Sequence, residues 1–157
     1  MADISPNSNA DGEENPLERQ RKLMALLSQE TRHSIIQALI GHPAVLASAD
    51  EINHFISSKS KKTVDEQLAI LVDAEILALY DYPPNKQKRG LPWKFYGFTE
   101  HGAAILGDFN YLKGVPMARA VHQKTRKPEK IERHETAPRP PLPEQVRETF
   151  RLDEEAR

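Results

Sequence analysis

The sequence predicts a mainly α-helical domain that carries one small β-hairpin, which places the chain in the α+β class. Two observations support this prediction. Apolar residues recur with helical spacing from Pro16 to Ala74, and short runs rich in β-branched and aromatic residues then follow. Of the 157 residues, 38% are hydrophobic, which is enough for one ordinary domain with polar ends.

Four helices are expected before the hairpin. The first begins at Pro16, and Ser28 caps the second. Ser48 and Glu51 form a capping box that opens a short third helix. Ser60 caps a fourth helix, one side of which carries apolar residues that would face the core. These residues are Val64, Leu68, Leu71 and Val72.

Two strands and two further helices follow the fourth helix. The strands run over residues 76–82 and 93–98, and the loop between them begins with two prolines. Thr99 caps a fifth helix, and Pro116 starts a sixth that ends near Lys127. The two strands would pair as a hairpin.

The two ends of the chain differ in composition from its middle. Residues 1–15 are acidic and polar, and we expect them to be disordered. Residues 16–112 form the predicted domain, and residues 113–127 add a helix that could contact a second copy. Residues 128–157 form a charged, Pro-rich tail, which we expect to be extended apart from one weak helix near 144–151.

Composition and the absence of certain motifs disfavour several classes of protein. No apolar run is long enough for a transmembrane helix, and the acidic N-terminus does not resemble a signal peptide, so we expect a cytoplasmic protein without membrane contact. The absence of cysteine excludes disulfides and thiolate metal sites. None of the six histidines has the spacing of a helical zinc pair, so no metal or other cofactor is expected. No phosphate-binding loop or catalytic grouping appears, and we expect no enzyme activity.

The turn between the third and fourth helices indicates a more specific fold. It consists of Ser57, Ser58 and Lys59, and such a short turn is typical of a helix-turn-helix, whose second helix enters the major groove of DNA. A hairpin with a basic loop that follows this motif is a wing. The sequence therefore predicts a winged helix-turn-helix domain that binds double-stranded DNA.

The expected DNA contacts lie at the start of the fourth helix and in the wing. If Val64 faces the core, the first turns of this helix point other side chains outward. Basic residues at a helix start oppose the helix dipole, so the lysines found there are better explained by a function. On the turn and the helix, the expected contacts are Lys59, Ser60, Lys61, Lys62, Thr63, Glu66 and Gln67. The wing contributes Lys86, Lys88 and Arg89, and the second helix contributes Arg32.

Each of these expected contacts has an alternative interpretation. The lysines at the helix start either contact DNA or are simply solvated. The basic residues of the wing either contact phosphates or the minor groove, or they are ordinary loop charges. Glu66 and Gln67 either read bases or lie on the surface. Arg32 either contacts a phosphate or pairs with a nearby acid. The aromatic run at 93–98 is either a stacking platform for single strands or, as we favour, the core side of the hairpin.

Four stretches of the sequence form a familiar combination. They are Leu27-Ser28-Gln29-Glu30-Thr31-Arg32, Ser60-Lys61-Lys62-Thr63-Val64, Ala74-Glu75-Ile76-Leu77 and Phe98-Thr99-Glu100-His101-Gly102. This combination resembles the ArsR-type winged helix-turn-helix regulators, and above all archaeal versions, which share the Phe-Tyr-Gly-Phe-Thr stretch at 95–99. The resemblance covers residues 17–112 strongly and 113–141 weakly.

The resemblance implies a transcriptional regulator that recognises a DNA sequence. We expect a homodimer formed through the first, fifth and sixth helices, because recognition of a half-site by one small domain is weak. Two departures from the family are clear. Metal-sensing members carry Cys or paired Asp/His ligands that this sequence lacks, and the connection at 41–48 is long and apolar, so its path is open. The alternative function is a winged-helix adaptor that binds other proteins within a transcription or processing complex.

Overall fold

The computed structural model describes residues 15–152. The predicted acidic tail therefore lies almost wholly outside the described residues, as do residues 153–157. The helices are α1 (Pro16–Ser28), α2 (Glu30–Gly41), α3 (Ala49–Phe55), α4 (Lys61–Asp73), α5 (Glu100–Asp108), α6 (Val115–Lys124), α7 (Glu129–Glu135) and α8 (Glu144–Thr149). The strands are β1 (Leu46–Ala47), β2 (Leu77–Asp81) and β3 (Lys94–Phe98). Within residues 15–152, no helix combines the length and the apolar character needed to cross a membrane.

The side-chain caps that the sequence predicts for the helices form with one exception. The capping box of Ser48 and Glu51 is formed, and Ser60 accepts a hydrogen bond from the amide of Thr63 at 3.1 Å. The exception is α2, which is capped by Gln29 rather than by Ser28. Ser28 is still the last residue of α1, so Gln29 is the one non-helical residue between the two helices, and its side chain takes the capping position.

The sheet has three antiparallel strands in the order β1-β3-β2. The hairpin of β2 and β3 that the sequence predicts is formed, and it pairs Leu77 with Phe98 and Asp81 with Lys94. On the other side of β3, the short β1 pairs Leu46 with Gly97. The long connection whose path the sequence left open therefore adds a strand to the wing sheet. A two-residue strand is too short to show the alternation by which strands are predicted.

The core lies between the helix-turn-helix and the sheet. From α4, it receives Val64, Leu68 and Leu71, which are fully buried, whereas Val72 is only half-buried. From β3, Phe95 and Phe98 enter the same core. These two rings form the core side of the hairpin, as the sequence favoured, whereas Trp93 of the same run is exposed.

Helix α6 packs closely against α2 at a glycine. A side chain on Gly41 would overlap the backbone carbonyl group of Ala118, so only glycine allows the two helices to approach this far. The helix ends at Lys124, earlier than the predicted end near Lys127. This contact holds the additional helix against the domain.

The C-terminal segment differs most from the prediction. The extended conformation expected after residue 128 is wrong at α7 (Glu129–Glu135), whereas α8 (Glu144–Thr149) confirms the weak helix predicted near 144–151. Its apolar side chains are buried, and the ring of Phe150 stacks on that of Phe98 with 5.5 Å between the centroids. The other buried apolar residues of this segment are Ile131, Ala137, Leu142 and Val146. Leu142, Val146 and Phe150 recur every four residues around α8, whereas Ile131 and Ala137 stand apart from them in the sequence.

Candidate nucleic-acid interface

The first turn of α4 presents two lysines to solvent. Lys61 and Lys62 directly follow the cap residue Ser60 and are both exposed. The ammonium group of Lys61 lies 3.1 Å from the carboxylate of Asp65, one turn further along the helix. The hydrogen bond and the charge of Asp65 raise the pKa of Lys61. Since both side chains of this pair are exposed, the pair stabilises the helix little and can be exchanged for another anion.

Lys59 in the turn is engaged differently, because its ammonium group lies 2.8 Å from the carboxylate of Glu30 at the start of α2. The hydrogen bond and the charge of Lys59 lower the pKa of Glu30. Ser60 and Thr63 are also occupied locally, since their hydroxyl groups are hydrogen-bonded to each other at 2.9 Å. Of the predicted contacts at the helix start, these three residues therefore have structural partners in the protein itself.

Arg32 and Gln67 are joined across the interface between α2 and α4. The guanidinium group of Arg32 donates from Nη1 to Oε1 of Gln67 at 2.7 Å and from Nε to the carbonyl oxygen of Leu26 at 2.6 Å. Within the protein, Arg32 is paired with an amide oxygen and not with an acid, while its contact with a phosphate stays a prediction. Glu66, beside Gln67, is exposed.

The wing contributes its basic residues from the loop between β2 and β3. Lys86, Lys88 and Arg89 are all exposed, and Gly90 adopts the left-handed backbone conformation with φ of 84°. At the end of the loop, the ammonium group of Lys94 lies 4.8 Å from the centroid of the Trp93 ring. The predicted wing residues are therefore accessible and concentrated in one loop.

The start of α4 adjoins the sheet that carries the wing. Tyr96 on β3 lies close enough to Asp65 and Lys61 for their charges to act on its hydroxyl group. Burial raises the pKa of Tyr96, the charge of Asp65 raises it further, and that of Lys61 lowers it. The hairpin therefore emerges beside the exposed turn of the helix.

A buried polar cluster that the sequence did not reveal lies away from this surface. Glu51 is fully buried and accepts hydrogen bonds from the amide of Ser48 at 2.8 Å and from Arg139 at 2.7 Å, while His42 Nε2 lies 2.8 Å away. Burial acts to raise the pKa of Glu51, but the hydrogen bond and charge of His42 and the charge of Arg139 together hold it at about 2. Arg139 also lies over the ring of Phe95, 4.6 Å from its centroid. The capping signal at Ser48 was visible in the sequence, but the partners from residues 42 and 139 were not.

Comparison with known proteins identifies the fold. No protein-family model and no curated protein matches the sequence. Among solved structures, the chain is similar to a protein with a GntR-superfamily winged-helix-turn-helix domain from Halomicrobium mukohataei. The TM-score is 0.73 at 22% identity, over 92% of this chain and 95% of that one. A weaker similarity, with a TM-score of 0.49 at 22% identity, joins 70% of this chain to 95% of diamide-treated YodB from B. subtilis.

The fold and the exposed basic turn together define a class of protein. The chain has the winged helix-turn-helix fold, which confirms the prediction from the order of its helices and strands. Within this fold, α3 and α4 are the helix-turn-helix pair, and β2 and β3 form the wing.

Proposed function

We propose that this protein is a transcriptional regulator of the ArsR-like type that binds a specific sequence of double-stranded DNA. In this proposal, α4 enters the major groove and the loop of the wing contacts the phosphate backbone or the minor groove. The observation that carries the proposal is the exposed pair Lys61 and Lys62 in the first turn of α4. Cations are unfavourable at a helix N-terminus, so their presence on the outer face is best explained by an anionic partner.

Phosphate groups can replace the protein's own acidic partners at this surface. Asp65 holds Lys61 only through a solvent-exposed pair, and Glu30 holds Lys59 in the same way. Such pairs contribute about 0–1 kcal/mol, whereas binding of DNA releases condensed counterions for every phosphate that is neutralised. The exchange from carboxylate to phosphate is therefore favourable at low salt.

Gln67 is the best candidate for reading a base. Arg32 donates a hydrogen bond to its side-chain oxygen. While this bond is present, Gln67 can contact a base only as a donor, through its amide NH2 group. A donor alone suits an acceptor in the major groove, such as O6 or N7 of guanine or O4 of thymine. Bidentate pairing with adenine would also need the oxygen, and Arg32 would then have to release it.

Homodimer formation is the second part of the proposal. Large hydrophobic side chains remain exposed on α1 and α6, where the sequence predicts the interface. They are Leu17, Met24, Met117 and Val121. A second copy would cover them and would present two recognition helices to two half-sites, which supplies the affinity that one domain lacks.

Two experiments test the DNA-binding part. Genome-wide occupancy of the tagged protein, followed by footprinting of the strongest sites, would supply the cognate sequence. Titration of that duplex and of a scrambled duplex at several salt concentrations would then separate specific from electrostatic binding. Failure to bind any duplex at low salt, combined with recovery of a stable protein complex, would support the adaptor function instead.

A further inference from the structure

Three potential metal ligands from distant parts of the chain meet inside the protein. His42 follows the end of α2, His122 lies on α6 and Glu135 ends α7. One ligand atom from each lies within 4.8 Å of the other two. The sequence predicts no metal ligands, because the spacing of histidines along single helices cannot detect a set assembled from three elements.

His122 and Glu135 face each other without a well-formed hydrogen bond. Their atoms Nε2 and Oε2 are 2.9 Å apart, yet both atoms are buried and lack a hydrogen-bond partner of good geometry within the described residues. Only 4% of the His122 side chain is exposed. Buried polar atoms without well-formed hydrogen bonds are costly, and a shared cation would satisfy both.

His42 has the supporting contact that metal-bound histidines usually possess. Its Nε2 lies 2.8 Å from the carboxylate of Glu51, and such a carboxylate fixes the orientation of the imidazole and raises its basicity. Its Nδ1 accepts a hydrogen bond from the amide of Ala44 at 3.0 Å. Coordination through Nδ1 would replace this single bond, and Ala44 is only half-buried, so water can take over its amide.

We propose that His42, His122 and Glu135 bind one divalent transition-metal ion, with Zn²⁺ as the best fit. Two imidazoles and one carboxylate form a ligand set that zinc accepts, and three protein ligands leave a fourth position for water or a small anion. His122 also lines a cavity of about 670 Å³ between α2, α3 and α6, which gives the ion a path from solvent.

One neighbouring charge limits how tightly this site can hold an ion. Lys127 lies 2.9 Å from Oε1 of Glu135, the oxygen that does not face His122. Its positive charge opposes a cation on the other oxygen. The site should therefore bind more weakly than a cysteine-rich zinc site, and removal of the Lys127 charge should strengthen binding.

The test is a metal titration of the full chain after treatment with a chelator. We expect one Zn²⁺ or Co²⁺ per chain, a visible absorption spectrum of Co²⁺ bound by nitrogen and oxygen ligands, and a higher melting temperature with metal. His122→Gln and Glu135→Gln should each weaken metal binding at least about 10-fold. Loss of a group that only supports a ligand already costs about that much, and loss of a ligand should cost no less. Lys127→Met should tighten it, and His101→Gln, an exposed histidine outside the cluster, should leave it unchanged.

Circular dichroism in the presence of chelator establishes that each variant is folded. If His122→Gln fails to fold, Glu135→Gln still tests the site, because its amide oxygen remains an acceptor for Lys127. Absence of stoichiometric binding would overturn the proposal. Equal affinity in the Glu135→Gln variant and the unaltered protein would also overturn it. So would a loss of binding in His54→Gln alone, because that result would place the ion in the cavity rather than between the three ligands.

Discussion

Arg32 on α2 donates a hydrogen bond to the side-chain oxygen of Gln67 on α4 across 2.7 Å. A second bond, to the carbonyl oxygen of Leu26, fixes the guanidinium group from the other side. The proposed base-reading side chain is therefore held by a residue of the preceding helix, and its amide NH2 group is oriented before DNA arrives. Such preorganisation reduces the entropy lost on binding.

The first prediction concerns this pair. Gln67→Ala should cost about 1–3 kcal/mol on the cognate duplex and little on scrambled DNA, because only a base contact depends on sequence. Arg32→Ala should change the preferred base at the same position, since Gln67 then regains its acceptor oxygen. Binding titrations on duplexes that vary this base pair measure both effects, and Gln145→Ala on the exposed side of α8 is the matched control. An equal loss of affinity on all duplexes would mean that Gln67 contacts the DNA backbone or has a structural role, and does not read a base.

The second prediction concerns the lysines of α4. Replacement of both Lys61 and Lys62 by alanine should weaken binding to every sequence alike and reduce the salt slope by about one for each phosphate that is no longer neutralised. The wing pair Lys88→Ala with Arg89→Ala should behave in the same way. Lys113→Ala removes an exposed lysine outside α4 and the wing and should change neither quantity. An unaltered salt slope in the α4 double variant would mean that this helix does not contact DNA.

The third prediction concerns the stability that the C-terminal segment provides. Phe150 is buried against Phe98, so Phe150→Ala should lower the free energy of unfolding by about 3–5 kcal/mol through the loss of apolar burial and the cavity left behind. Leu79 on β2 is largely exposed, and Leu79→Ala should change it by only about 0.5 kcal/mol. Urea unfolding measures both values. Equal stabilities of the two variants would mean that this segment contributes nothing to the fold.

The fourth prediction is a pH dependence that originates at Glu51. Its pKa is about 2 in the folded protein against an ordinary value of 4.5, so its native contacts stabilise fully above about pH 4.5 and are lost as the pH falls towards 2. At about 1.4 kcal/mol for each pKa unit between 4.5 and about 2, the contribution amounts to roughly 3.5 kcal/mol. Urea unfolding at a series of pH values from about 5 down to about 3 should show roughly half of this loss, and Glu51→Gln should flatten it. Glu66→Gln, an exposed control, should keep the full dependence.

The fifth prediction concerns the dimer. Glutamate at both Met117 and Val121 would place charges on the exposed face of α6, so Met117→Glu with Val121→Glu should yield a monomer while the fold is kept. Light scattering gives the mass, and DNA binding should weaken because only one half-site is held. A monomeric mass for the unaltered protein at high concentration and on DNA would contradict the proposed homodimer.

Much of the fold was determined by signals that act within a few residues. The capping box at Ser48, the cap at Ser60 and the spacing of Val64, Leu68 and Leu71 each predicted a helix or its buried side correctly. Such signals can be read from the sequence because hydrogen bonds at a helix start and the helical repeat depend only on neighbours in the chain. The exposed lysines of α4 followed from the same repeat once Val64 was placed in the core.

Other features were decided only by the tertiary structure. The strand β1 forms because β3 offers it a free edge, and the C-terminal segment packs because apolar residues such as Phe150 find complementary places on the core. The pairing of Arg32 with Gln67, and the meeting of His42 with His122, join residues that are far apart along the chain. Neither periodicity nor spacing contains this information, because such contacts depend on how separate elements fit together in space and not on the order of residues within any one of them.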